Sequence, residues 1–424
     1  MASPLLSYAQ AAEQVQVFIN SRASFFAQSL PPATLERVPL AHAAGSVLAQ
    51  TITADRDLPP FPRSTRDGFA CRAAEANSHQ PLLLAGHIRA GQAHTGALCR
   101  GEVWEIMTGA PVPQGADAVF MVEHAQHASD FIRLAAEHTI QPGENIVPQG
   151  AEAQAGDSLV PPGTRIHAAQ IALAAQCGYS ELAVFPRPRI AILSTGDELV
   201  RVETTPGPGQ IRNSNSAMLA ALVIESGAVP ILFPSVPDRQ RALDRALRQA
   251  LYPTLAADLL LITGGISTGR FDLVDDALTR AGASFLFRGV AIQPGKPVVF
   301  AEVPRPGQPP LAVLALPGNP ISSAVTFHLF AAPILAALSG DVGSQPRFAL
   351  AQLAGNWRGK PGLTRFLPAH CDFGQPPGQI PKVQIIPWQG SGDLAAFARS
   401  NCLVEIPAEA AEIHDQSPVQ ILLT

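Results

Sequence analysis

The sequence predicts an α/β domain with a doubly wound parallel sheet, set among β-rich domains. Three observations lead to that class. From about residue 190 onward, short apolar runs, polar loops and helical patterns alternate. The run Leu259-Leu260-Leu261-Ile262 is too short for an ordinary helix and shows no alternation, which suits a strand buried on both faces. It leads into a turn carrying Gly264, Gly265 and Gly269, after which Phe271, Val274 and Leu278 recur at helical spacing.

Residues 1–54 open with a helix from Tyr8 to about residue 26, whose apolar side holds Val15, Phe18 and Ile19, and Pro31-Pro32 ends it. Residues 55–147 read as an inserted mainly-β domain, with strands near 102–107 and 118–122 separated by Gly and Pro turns. Residues 148–185 hold a helix over 168–177, stopped by Gly178. Their composition matches the N-terminal stretch, so 1–54 and 148–185 are expected to form one discontinuous domain. Residues 186–340 form the α/β domain. Its expected strands are 190–193, 230–236, 259–262, 298–303 and 311–316, and an apolar helix runs from Pro320 to about residue 338. Residues 345–424 return to short strands, including 383–386 and 419–423, and predict a small β-barrel or sandwich.

Composition narrows the function classes. A length of 424 residues allows roughly three domains of ~150 residues. Forty prolines and 34 glycines imply many turns and several boundaries. There is no uninterrupted apolar stretch of the roughly 18 residues that a membrane helix needs. The first residues carry no basic cluster before an apolar region, so a cytoplasmic protein without membrane attachment is expected. Five scattered cysteines, none in a C-x-x-C pair, predict free thiols and argue against zinc. A net charge of −5 argues against broad nucleic-acid binding, so an anionic ligand needs a local basic pocket.

In a parallel sheet of this kind, ligands bind along the carboxyl edge of the strands. The loops at Thr195, Asp238, Gly264 and Gly318 all leave strand ends and therefore converge. Asp197, Glu198, Asp238 and Asp272 offer hard oxygen ligands suited to magnesium bridging to substrate phosphates. The structural alternatives are Asp238 as a helix N-cap, Asp197-Glu198 at a helix start, and Ser267 and Thr268 as plain turn residues. Lys296, in Gln293-Pro294-Gly295-Lys296-Pro297, is either a phosphate ligand or a solvated turn lysine. There is no nucleophile with a paired base, no G-x-G-x-x-G and no P-loop. Local chemistry reaches an anion and magnesium site, and no further.

The joint pattern of motifs resembles the molybdopterin molybdenumtransferase family, the MoeA proteins and gephyrin E domains. The residues that carry it are STRDGFA at 64–70, MTGAP at 107–111, STGDEL at 194–199, GGISTG followed by Asp272, PGKP at 294–297, LPGNP at 316–320 and QGS at 389–391. Their order spans nearly the whole chain. The resemblance implies a discontinuous helical linker domain, an inserted β-rich domain, an α/β molybdopterin-binding (MogA-like) domain and a C-terminal β-barrel. It also implies a homodimer whose sites draw on both subunits, and contacts with other molybdenum-cofactor pathway proteins and molybdoenzymes. The implied activity is that of a transferase inserting molybdate into adenylyl-molybdopterin with Mg2+, to give molybdenum cofactor and AMP.

Carried onto this chain, the resemblance makes Asp67, Thr108, Glu198, Asp238, Asp272 and Lys296 the catalytic group, with Glu198, Asp238 and Asp272 toward the metal. Thr195, Gly264, Gly265, Ser267, Gly318, Asn319, Arg365 and Ser391 are the expected substrate contacts. Three positions depart from many members: Arg66 stands in place of Met, Gln293 of Lys and Glu152 of Asp. Two rival functions follow, a molybdopterin adenylyltransferase and a non-catalytic scaffold that binds cofactor or partner enzymes. Molybdate and tungstate are not distinguishable by sequence.

Overall fold

A computed structural model describes residues 5–29, 35–91, 96–252, 255–265, 273–341, 345–376 and 378–424. Its centre is a six-stranded sheet of β1 (Arg189–Ser194), β2 (Val229–Leu232), β3 (Leu259–Thr263), β4 (Ser284–Arg288), β5 (Val299–Arg305) and β6 (Gln308–Leu316). The spatial order is β2-β1-β3-β6-β5-β4. β2, β1, β3 and β6 are mutually parallel, while β5 and β4 run antiparallel. The run at 298–303, read from sequence as one more strand of the parallel series, is therefore reversed. Only Pro306 and Gly307 separate β5 from β6, far fewer than the dozen or so residues a parallel crossover needs.

Both faces of the sheet are buried, with the period of two that strands impose. Ile190, Ile192, Leu259, Leu261 and Leu314 join one apolar cluster; Ala191, Leu193, Leu260, Ile262 and Val313 join the other. The second is roofed by Leu243 and Leu247 of helix Gln240–Leu251 and by Val274 and Leu278 of helix Leu273–Arg280. The first is covered by the helical run Pro320–Leu338. That run is long and apolar enough to cross a membrane, but 78% of it lies inside the protein, as expected of a core helix. The N-terminal helix Tyr8–Ser29 joins the same cluster through Ala11, Val15, Phe18 and Ile19, with Phe18 set edge-on to Phe300 at 5.1 Å.

The flanking units are held mainly by strand pairing. Glu36–Pro39 pairs with Glu181–Val184, and Ile52–Thr53 with Ser158–Val160, around a core that includes Leu48, Ile52, Ile166 and Leu182. The inserted segment has its own six-stranded sheet, built on Gly68–Cys71, Glu102–Ile106 and Ala118–Met121. In the C-terminal unit Thr364–Asp372, Lys382–Ile385, Phe348–Leu353, Pro418–Leu423 and Cys402–Ile406 follow one another, and the first pairs with the last to close a five-stranded barrel. One join matters for the site. Ile292–Gln293 leaves the α/β unit and pairs in parallel with Thr364 and Arg365 of the barrel.

Candidate functional site

The four parallel strands end at one edge, as the loop positions require, and a cavity of about 770 Å3 opens there. Thr195, Glu198, Asp238, Gly264, Gly265, Lys296, Gly318 and Asn319 all line it. The turn after β3 follows from its glycines. Gly264 has φ +90°, and a Cβ there would collide with the Thr195 carbonyl oxygen. With no side chain, the loops after β1 and β3 touch. Thr195 Oγ1 is left buried without a hydrogen-bond partner at the wall of this cavity, a group that an incoming polar ligand atom would satisfy.

The structure removes the two local explanations for the acids. Arg239, not Asp238, occupies the N-cap of Gln240–Leu251, and it makes no side-chain cap. The Asp238 N–H instead donates to Asp197 Oδ1 at 3.2 Å, which fixes the loop after β2 against the loop after β1. Asp197 and Glu198 precede a short strand, Leu199–Val200, rather than a helix. Among the described residues neither Glu198 nor Asp238 is in an ion pair, and both residues line the cavity. Asp272 and Ser267 lie outside the described residues. Among those described, no group of three His, Cys, Asp or Glu side chains forms a metal cage.

Lys296 is exposed on a turn whose shape is set locally. Its carbonyl accepts from Val290 N–H at 2.9 Å, and the Gly295 carbonyl accepts from Val298 N–H at 3.2 Å. The cavity continues past Lys296 and Asn319 into a second space of about 450 Å3 that Ser391 and Gln293 line. Asn319 Nδ2 donates to Ser391 Oγ at 2.8 Å, tying the α/β unit to the barrel loop. Gln293 and Trp388 lead on to a third space of about 720 Å3, where Arg365 sits. These three spaces share lining residues in succession, from the glycine turn to the barrel, and are referred to together as the trench.

Asp67 and Thr108 are brought together, but away from this trench. The Thr108 N–H and hydroxyl both donate to Asp67 Oδ1, at 2.6 and 2.8 Å, and hold that carboxyl below its usual range. Of the departures, Glu152 pairs with Arg63 at 2.6 Å on the surface, and the Arg66 backbone is clasped by Ser64 Oγ. Sequence reasoning missed Asn215. Its Nδ2 donates to both Thr263 Oγ1 (2.9 Å) and the Gly318 carbonyl (2.8 Å), stapling the β3 and β6 loops together at the cavity wall. The signal was the run Asn213-Ser214-Asn215-Ser216, in which Asn213 caps the helix Ser214–Glu225 and leaves Asn215 free to point across.

Three family models and several known proteins match this chain. Residues 6–178 match the MoeA N-terminal region (domain I and II), 191–337 a probable molybdopterin binding domain, and 351–424 the MoeA C-terminal region (domain IV). Molybdopterin molybdenumtransferase 2 of Mycobacterium tuberculosis is 34% identical over 91% of this chain and 94% of its own. The chain belongs to the molybdopterin molybdenumtransferase family. The Nostoc molybdopterin molybdenumtransferase is 38% identical over 72% of this chain and 70% of its own. The solved moeA protein of molybdopterin biosynthesis from Pyrococcus horikoshii superposes with a TM-score of 0.78 at 26% identity, covering 99% of this chain and all of that one. Membership of this family makes the chain one of the enzymes of molybdenum-cofactor biosynthesis.

Proposed function

We propose that this protein inserts molybdate into adenylyl-molybdopterin, releasing AMP and molybdenum cofactor. The observation that carries the reading is the sequence of polar groups along these spaces: Glu198 and Asp238, in no ion pair among the described residues, and an orphaned hydroxyl stand at the glycine-turn end with Arg212 and Lys296, and Ser391 and Arg365 follow toward the barrel. The adenylyl phosphates belong at the first end. There the amides of the glycine turn and Thr195 Oγ1 meet phosphate oxygens, and Glu198 and Asp238 are suited to hold Mg2+. Two carboxylates are a sufficient protein share for that ion, because it keeps waters and takes its other ligands from phosphate. When bound, it would neutralise charge on the phosphates.

Lys296 and Ser391 stand where an oxyanion would lie between the two ends of the substrate, one offering an ammonium and the other a hydroxyl. No side chain is asked to act as a nucleophile. Placement and charge neutralisation carry the reaction. Asp67 and Thr108 are assigned to the trench of a second subunit in a homodimer, since they line none of their own chain's trench. Contacts with other proteins of molybdenum-cofactor biosynthesis and with molybdoenzymes, and a cytoplasmic location, belong to the same proposal.

The test is to supply the purified full chain with adenylyl-molybdopterin, molybdate and magnesium and to measure AMP. Release of AMP together with cofactor able to reconstitute an apo-molybdoenzyme is the expected result. Activity only with free molybdopterin and ATP would assign the chain to adenylyl transfer. Tight cofactor binding without turnover would make it a scaffold.

A further inference from the structure

We propose that Trp357 is the wall on which the pterin ring of the substrate stacks, so that the barrel end of the trench recognises the ring and the glycine-turn end the nucleotide. This inference rests on the function proposed above and divides its substrate between two ends of one site. The first observation is chemical asymmetry. Among the described residues no aromatic side chain lines the glycine-turn cavity, whereas Trp357 and Trp388, two of the three tryptophans in the chain, line the barrel cavity. Among the described residues, the stacking partners for a flat heterocycle lie toward the barrel, Trp388 also lining the middle space.

The second observation is charge. Among the described residues the barrel cavity is lined by Arg358, Lys360 and Arg365 and by no carboxylate, while the other end mixes Glu198 and Asp238 with Arg212 and Lys296. Arg358 is engaged by Glu412 at 2.8 Å, and no ion pair holds Lys360 or Arg365 among the described residues. An anionic substituent on the ring is thus met by two available cations. Gln293, Asn356 and Gln389 line the same cavity with amides, which match the paired donors and acceptors on a pterin edge.

The third observation concerns how the indole is presented. The short strand Trp357–Arg358 pairs with Glu412–Ile413, which anchors the tryptophan backbone at the barrel rim. Gly359 follows, and a Cβ at that position would collide with Cζ2 and Cη2 of the indole, so the ring lies across bare backbone. The Arg365 guanidinium stands 5.6 Å from the ring centre, held by its hydrogen bond to the Leu363 carbonyl. The ring is half-buried and packs partly on the barrel core. A purely structural tryptophan would fit that last fact alone, and the experiment separates the two roles.

The probe is pterin-6-carboxylate, titrated into the full chain and followed by its fluorescence, beside calorimetric titration with AMP. Trp357→Ala and Gly359→Ala are expected to weaken pterin binding about tenfold, the order of one base-on-aromatic contact. Trp357→Phe should retain most of it, and AMP binding should not change in any of the three. In turnover, Trp357→Ala should raise KM for adenylyl-molybdopterin by about tenfold while kcat stays within about twofold.

The inference is overturned if the wild-type protein binds AMP but no pterin, or if Trp357→Ala and Gly359→Ala bind pterin as the wild type does. Equal loss of pterin and AMP in Gly359→Ala, or loss of pterin in Trp357→Phe as deep as in Trp357→Ala, assigns the tryptophan to barrel packing and overturns it too. Trp357-dependent pterin binding without AMP release from adenylyl-molybdopterin would sink the proposed reaction and leave the stacking wall standing.

Discussion

At Gly264 the absence of a single methyl group decides whether two strand-end loops can meet. Its positive φ and the closeness of the Thr195 carbonyl both oppose a side chain. Gly264→Ala should therefore lower stability by about 1–3 kcal/mol, read as a fall in the denaturation midpoint. Glu198 and Asp238 are the opposite case, since no ion pair among the described residues depends on them. Glu198→Gln and Asp238→Asn should cut turnover by on the order of a hundredfold while the melting temperature holds. At this scale the positions of Glu198, Asp238, Gly264 and Gly318 were legible from their place after short apolar runs, although capping and turn roles competed for each of them. What could not be read was Thr195 as a buried hydroxyl without a partner, or Asn215 as a staple. Both are relations between loops that only the closed sheet creates.

Among the elements, the helical run Pro320–Leu338 shows where periodicity succeeds and where it stops. Its apolar length is plain in the sequence, yet the widened turn at Phe327–Ala331 is not, because no proline or glycine marks it. His328 lies in that segment, and burial, with Arg347 nearby, lowers its pKa to about 4 from the ordinary 6.5. The unfolded chain takes up a proton near pH 6.5 while the folded one resists until about 4, so the stability that neutral His328 confers is whole above about 6.5 and is lost as pH falls to about 4. That loss should be on the order of 2–3 kcal/mol in a urea titration run across this range, and His328→Gln should flatten it. The central strands were readable for a related reason. Buried on both faces, they appear as unbroken apolar runs, whereas the direction of β5 depends on the two-residue connection to β6 that follows it.

For the molecule as a whole, the proposed second subunit yields a sharp expectation. Asp67→Asn and Lys296→Gln should each abolish activity alone. A mixed dimer carrying one change per subunit should recover about half, because both lesions then fall in one site and leave the other intact. If each trench were completed by its own chain, mixing would restore nothing. The sequence marked where composition changes along the chain, but not that Tyr8–Ser29 would seat its apolar side against the central sheet, since the helix pattern names a face and never its partner. The short pairing of Ile292–Gln293 with the barrel carries one last implication. A fragment ended near residue 340 would strand those two residues without their neighbour, and the lysine turn beside them would lose its footing. Any division of this chain into separately made pieces should therefore cut somewhere other than the seam that sequence composition recommends.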